Sequence, residues 1–299
     1  MKQNLAAMQF KESELIINHR GGVYHLNLRP EELADTVILV GDPGRVAEVS
    51  RHFDRLEVRT GNREFITHTG YIGKKRLSCI STGIGTDNID IVLNELDAAV
   101  NIDLSTRTEK PEKKSLNFIR LGTTGALQPD IEVDSFITSA YVIGLDGLMN
   151  YYKYHKSIEQ MDMIEDFTWQ TGYPHVLSKP YVFKGSEKLL KLFRGDNCHH
   201  GITLTAPGFY APQGRKLRYE LLYPELIDNY SRFRYKDYYT TNLEMETSAL
   251  YGLGTLLGHE VCTVCTVVAN RINRTFSADG HKAVEELIKF ALQKICSTP

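Results

Sequence analysis

Short apolar, β-branched runs alternate along this chain with segments whose apolar positions return every three or four residues. TVILVG (Thr36 to Gly41), RLSCIS (Arg76 to Ser81), NFIRLG (Asn117 to Gly122), GITLTAP (Gly201 to Pro207) and VCTVCTVVA (Val261 to Ala269) are strand-length. Each runs into a turn holding Gly, Thr or Arg. Ile89, Val92, Leu93, Leu96 and Val100 mark one helical stripe, and Val284, Leu287, Ile288, Ala291, Leu292 and Ile295 another. This alternation predicts an α/β fold of three layers, α/β/α, around a central, largely parallel mixed sheet, because parallel strands need crossover connections. Ligands of such sheets sit beyond the carboxyl ends of the strands, where the Gly, Thr and Arg residues collect. The pattern therefore predicts one composite site.

Two stretches break the rhythm. Residues 103–115 are polar, charged and Pro-containing and read as a surface loop; residues 150–180, rich in Tyr, Lys and acids without clear periodicity, read as a lid-like insertion. Neither resembles a linker, so the expectation is a single domain over residues 1–299. A chain of 299 residues buries a sizeable core without metal or disulfide staples. A net charge of −2 gives no broad basic field for nucleic acid or an anionic membrane. Five cysteines and a start, MKQNLAAMQF, without an apolar core point to reduced thiols and a cytoplasmic protein.

Several positions can carry chemistry. GDPGR (Gly41 to Arg45) offers turn N–H groups and a planar cation suited to phosphate; an ordinary strand-to-helix turn with an exposed Arg is the plainer reading. It is neither a nucleotide P-loop nor a dinucleotide fingerprint. Arg120 lies inside a run that should be a buried strand, where a cation needs a partner. That partner is either a core carboxylate or an anion completed by Thr123 and Thr124 in the following turn. Glu244 and Glu246 precede a helix, where acids complement the dipole or accept from vicinal sugar hydroxyls. Gln213 and Arg215 beside Phe209 can stack on and read a planar heterocycle, or form a polar surface loop. Cys262 and Cys265 read as buried thiols, since zinc needs a second ligand pair. Cys198, His199 and His200 read as surface residues before a strand.

In this order, VYHLNL (Val23 to Leu28), GDPGR, GNREF (Gly61 to Phe65), STGIG (Ser81 to Gly85), IRLGTTGALQP (Ile119 to Pro129), GFYAPQGR (Gly208 to Arg215) and NLEMETSAL (Asn242 to Leu250) resemble the nucleoside phosphorylase-I family. The Gln213–Arg215 pair is similar to its uridine branch. The resemblance spans roughly residues 23 to 295. It implies reversible phosphorolysis of uridine to uracil and ribose 1-phosphate, with nucleoside and inorganic phosphate as small-molecule partners and neither nucleic acid nor membrane.

Roles follow by position. Gly41, Arg45, Arg120 and Thr123 match the phosphate site, and Arg63 matches an arginine donated to it by a neighbouring subunit. His25 matches a partner-subunit histidine that binds the ribose 5′-hydroxyl. Glu244, Met245 and Glu246 match the ribose contacts, and Phe209, Gln213 and Arg215 the uracil pocket. Arg120, Arg215 and Gln213 are the expected catalytic groups. A homodimer is the minimal active unit implied, with a hexamer built as a trimer of dimers as the larger form. No organic cofactor is implied. Some relatives hold a monovalent cation between subunits with a Glu matching Glu64 and the segment matching Ile84 to Asn88, and this chain departs from their pattern at Asn88. Relatives that cleave purine nucleosides use an Asp at the position of Asn270, which cannot protonate a departing purine. A purine nucleoside phosphorylase, a hydrolytic nucleosidase and a non-catalytic nucleoside-binding protein are the competing readings.

Overall fold

Contacts in the computed structural model, which describes residues 9–195 and 198–297, fall into two units: 9–83 with 90–116, and 84–89 with 117–297. The stretch read above for a leader lies, through residue 8, outside the described residues.

The first long strand of the first unit is β1 (Thr36–Val40), whose Val37 to Val40 are fully buried. Asp42 then caps α1 (Pro43–Ser50), accepting from the N–H of Gly44 at 2.8 Å, with Pro at the first helical position. Next come β2 (Arg55–Asn62), β3 (Phe65–Ile72) and β4 (Lys75–Ser81). β1 runs parallel to β4, whereas β2, β3 and β4 form an antiparallel meander. The two hairpins turn through Arg63 at φ 54° and Gly73 at φ 57°, too tightly for any crossover. Helix α2 (Thr86–Asn101) buries its whole expected stripe, Ile89 through Val100. Where a loop was expected, β5 (Ile102–Asp103) and β6 (Thr108–Glu109) form a small hairpin. Asn101 ties down the chain beyond it, accepting from the N–H of Lys114 at 2.6 Å and donating to its carbonyl at 3.1 Å.

The second unit holds β7 (Asn117–Ala126), β8 (Phe136–Gly144), α3 (Ile158–Thr171), β9 (Tyr181–Lys184), α4 (Glu187–Leu190), β10 (Cys198–Thr205), α5 (Leu226–Arg232), β11 (Arg234–Tyr235), β12 (Tyr238–Glu244), α6 (Thr247–Leu257), β13 (Glu260–Asn270), β14 (Thr275–Phe276) and α7 (Gly280–Cys296). Its sheet runs β11-β12-β10-β8-β13-β7. β12, β10 and β8 are parallel neighbours, as are β13 and β7, while β8 meets β13 antiparallel. Short antiparallel strands β9, β11 and β14 are added to it. The fold is thus mixed α/β, with a larger antiparallel share than the strand–helix alternation predicts. Tight turns such as Lys236–Asp237 join neighbours with no helix between them. Helix α7 buries Val284, Leu287, Ile288, Ala291, Leu292 and Ile295, the expected face.

Two expectations are corrected here. Residues 150–180 include α3, which opens on a capping box between Ser157 and Gln160 and buries Met163, Phe167 and Thr171. Cys198 to His200 are the half-buried start of β10, not a surface lead-in. Cys262 and Cys265 are both buried, as read from the strand.

Candidate active site

β7 carries Arg120 into the interior of the second unit, where only 4% of the residue is exposed. Its Nη1 lies 3.2 Å from Glu244, and its Nη2 pairs with Glu246. Arg120 and Gly122 point to the same face, two apart on a strand. A Cβ at Gly122 would stand 2.2 Å from Nη1, so only glycine leaves room for the guanidinium. Burial opposes the charge on Arg120, but Glu246 and Glu244 outweigh it and raise the pKa above the ordinary range. The pairing with core carboxylates, one of the two readings of Arg120, is therefore present.

The carboxylates are held differently. Glu244 ends β12 and accepts from Thr205 Oγ1 at 2.6 Å and from the backbone N–H groups of Glu246 and Thr247, both at 3.0 Å. Glu246 stands at the entry to α6 and accepts from the N–H of Gly85 at 2.9 Å. Burial raises its pKa; Arg120 pulls it back and Glu244 pushes it further up. One guanidinium thus serves two buried carboxylates, so extra donors are favourable there, and sugar hydroxyls are donors of the right kind. Met245, between the two, is half-buried.

The GTTG segment is not a turn. β7 continues through it to Ala126, and Thr124 is buried, donating to the carbonyl of Leu243 at 2.9 Å and accepting from Asn242 at 2.8 Å. Thr123, on the opposite face, is half-buried.

Beyond β10, a one-turn helix (Ala211–Gln213) closes on Gly214 at φ 65° and brings together the expected base-reading group. Arg215 lies 3.8 Å from the ring centre of Phe209 and donates from Nη1 to Gln213 Oε1 at 2.5 Å and to the carbonyl of Phe209 at 2.8 Å. Gln213 is buried, and half of Phe209 is exposed. Arg271 donates to the backbone carbonyl of Gln213 at 3.1 Å. Burial, and then the neighbouring Arg271, push the pKa of Arg215 down to about 10, still charged at neutral pH. Two neighbouring guanidiniums, one of them over the Phe209 ring, make a site where an anion relieves repulsion.

Asn270, at the end of β13, is fully committed. Its amide donates to the carbonyls of Gln128 and Ile131, both at 2.8 Å, and its oxygen accepts from the N–H groups of Ile272 (2.9 Å) and Asn273 (2.8 Å).

The first unit holds the other expected residues. Gly41 follows β1, Arg45 is half-buried in the first turn of α1, and Arg63 is exposed on its hairpin. His25 places Nδ1 2.6 Å from Glu95. Glu64 is half-buried; in the second unit, Asn88 is half-buried and Ile84 is exposed. Thr205, Gly85, Arg271 and Glu95 were missed by sequence reasoning. Arg271 could have been found beside Asn270; Thr205 and Glu95 carry no local signal. Among the described residues no group of three His, Cys, Asp or Glu could hold a metal ion, and no helix is long and apolar enough to cross a membrane.

Charged groups gathered at the carboxyl ends of strands in a mixed α/β fold define a small-molecule enzyme, not a polymer-binding or structural protein. The chain belongs to the phosphorylase superfamily, whose family model matches residues 35–296. It is similar to a uridine phosphorylase of Thermococcus kodakarensis, 31% identical over 92% of this chain and 87% of the relative. A Thermoanaerobacter purine nucleoside phosphorylase of DeoD type is 26% identical over 90% of this chain and 97% of the relative. Among solved structures, a Trypanosoma brucei nucleoside phosphorylase described as showing uridine phosphorylase activity superposes with a TM-score of 0.86 at 28% identity, covering 95% of this chain and all of that one.

Proposed function

We propose that this enzyme is a uridine phosphorylase, catalysing reversible phosphorolysis of uridine to uracil and ribose 1-phosphate. The observation that supports it best is the Phe209–Gln213–Arg215 group with Arg271 beside it. In phosphorolysis a phosphate oxygen forms a bond to C1′ while the C1′–N1 bond breaks, and the bonding pair leaves with uracil. That pair spreads over the carbonyl oxygens of the uracil anion. Arg215 stabilises the anion as it forms and the Gln213 amide fixes which edge of the ring is read, so no proton donor at N1 is needed. Phosphate held by Gly41, Arg45, Arg120 and Thr123, with Arg63 given by a neighbouring subunit, is nucleophile and counter-charge to the cationic sugar. Glu246, with Met245 and Glu244 beside it, takes the ribose hydroxyls, and His25 of a partner the 5′-hydroxyl. A dimer is then the smallest working unit. No organic cofactor enters this reaction, and no step is routed through a cation near Glu64, Ile84 and Asn88.

Asn270 favours this reading over purine cleavage, because both of its amide protons are spent on Gln128 and Ile131. The test is uracil release from uridine by purified protein with and without phosphate. Release that requires phosphate, with inosine and adenosine cleaved far more slowly, is the expected result. Release without phosphate makes the protein a hydrolytic nucleosidase; comparable kcat/KM for inosine makes it a purine enzyme; no release makes it a binding protein.

A further inference from the structure

One side chain ties the segment carrying His25 to α2. Glu95 accepts from the backbone N–H of His25 at 3.0 Å and of Leu26 at 2.9 Å. The oxygen that takes the His25 N–H also lies 2.6 Å from the ring Nδ1. An ionised carboxylate can only accept, so in the neutral ring Nδ1 bears the proton and Nε2 is left as an acceptor. Tyr24 and Phe65 flank the imidazole edge-on, with ring centres 5.0 and 6.5 Å away. Securing the backbone needs only the two amide bonds. The third bond does something else: it fixes the tautomer and the direction of the ring.

We propose that Glu95 is a positioning residue for substrate recognition, holding His25 in the Nδ1–H form so that Nε2 accepts a hydrogen bond from the ribose 5′-hydroxyl. This rests on the uridine reading above. The chemistry is that of an oriented imidazole, in which a partner on one nitrogen decides what the other offers. Glu95 never touches the nucleoside, so its loss is felt only where the 5′-hydroxyl is read.

The test compares uridine with 5′-deoxyuridine at saturating phosphate for the wild type, Glu95→Ala, Glu95→Gln and His25→Ala. One hydrogen bond predicts a preference for uridine of about tenfold in kcat/KM in the wild type. Glu95→Ala loses that preference through a raised KM for uridine, as His25→Ala does, while 5′-deoxyuridine is handled as before. Glu95→Gln keeps most of it, since its amide oxygen still accepts from Nδ1–H. Nitrogen-resolved NMR of the wild type shows His25 protonated at Nδ1. A preference that survives in Glu95→Ala, equal handling of the two nucleosides by the wild type, or a neutral His25 protonated at Nε2 overturns the proposal. Should Glu95→Ala fail to fold, Glu95→Gln and the wild-type spectrum decide. A wild type inert toward uridine and phosphate overturns the functional reading instead, and the spectrum alone then judges whether Glu95 orients the ring.

Discussion

Glu246 illustrates the cost of a buried carboxylate that must share its cation. Its pKa lies above the ordinary 4.5, first because it is buried. Between 4.5 and the raised value the folded protein holds a proton that the unfolded chain has released. Stability from this group is therefore greatest at low pH and falls as pH rises through that window. Glu246→Gln removes the charge and keeps one acceptor oxygen where the carboxylate offers separate ones to Gly85 and Arg120. The variant should melt at or above the wild-type temperature at neutral pH, with the difference vanishing near pH 4, while uridine turnover drops by roughly a hundredfold. Melting curves across pH beside a uracil-release assay check both halves. Asn270→Asp should do the reverse to stability. It removes two donors from buried carbonyls and adds a charge, a loss of about 2–4 kcal/mol in urea unfolding, with no gain of inosine cleavage. At this scale the sequence shows residue types better than pairings. Arg120 stands out because a cation interrupts an apolar run, but its carboxylates come from Glu244 and Glu246, more than a hundred residues further along. Thr205 reads as one more β-branched strand residue.

Helix α3 shows why one element escaped the periodicity and others did not. α2 and α7 keep their apolar residues on one buried stripe. In α3 the buried positions are Met163, Phe167 and Thr171, while Ile158, Met161 and Trp169 point outward, with Trp169 82% exposed. Apolar residues on both faces blur the moment that marks a helix. The signal that survives is at the entrance, where Ser157 and Gln160 satisfy each other's backbone N–H groups. Ser157→Ala should lower stability by about 1 kcal/mol. Chemical denaturation reads that loss, and hydrogen exchange should place it in the first turn of α3. The effect stays local because Phe167 anchors the helix further along, among Tyr173, Tyr230 and Phe233 at ring-centre distances of 5.8, 5.6 and 5.1 Å. The strands were more legible, since β1, β4, β7, β10 and β13 all form where apolar runs predicted them. Their ends were less so: β7 swallowed the turn expected at Thr123, because Thr124 finds its partners in β12.

At the scale of the whole molecule the testable matter is how copies cooperate. If Arg63 serves a partner's site, Arg63→Ala damages the donated group and Arg215→Ala the receiving pocket, so each homo-oligomer should be nearly inactive. A mixed dimer has one site with both lesions and one with neither. Random pairing makes about half the dimers mixed, so co-expression should restore roughly a quarter of wild-type activity. Uracil release from the mixture, with mixed dimers verified by two tags, measures it; no recovery would place Arg63 in its own subunit's site. Asn270 has a bearing on descent as well as on chemistry. Its four hydrogen bonds fasten the chain after β13 to the segment after β7, so the residue proposed above to disfavour purine cleavage also holds the fold together. A lineage trading one base class for the other through a single change at this codon would pass through a poorly folded ancestor. Stabilising substitutions elsewhere have to come first, and base preference is inherited together with the packing that surrounds it.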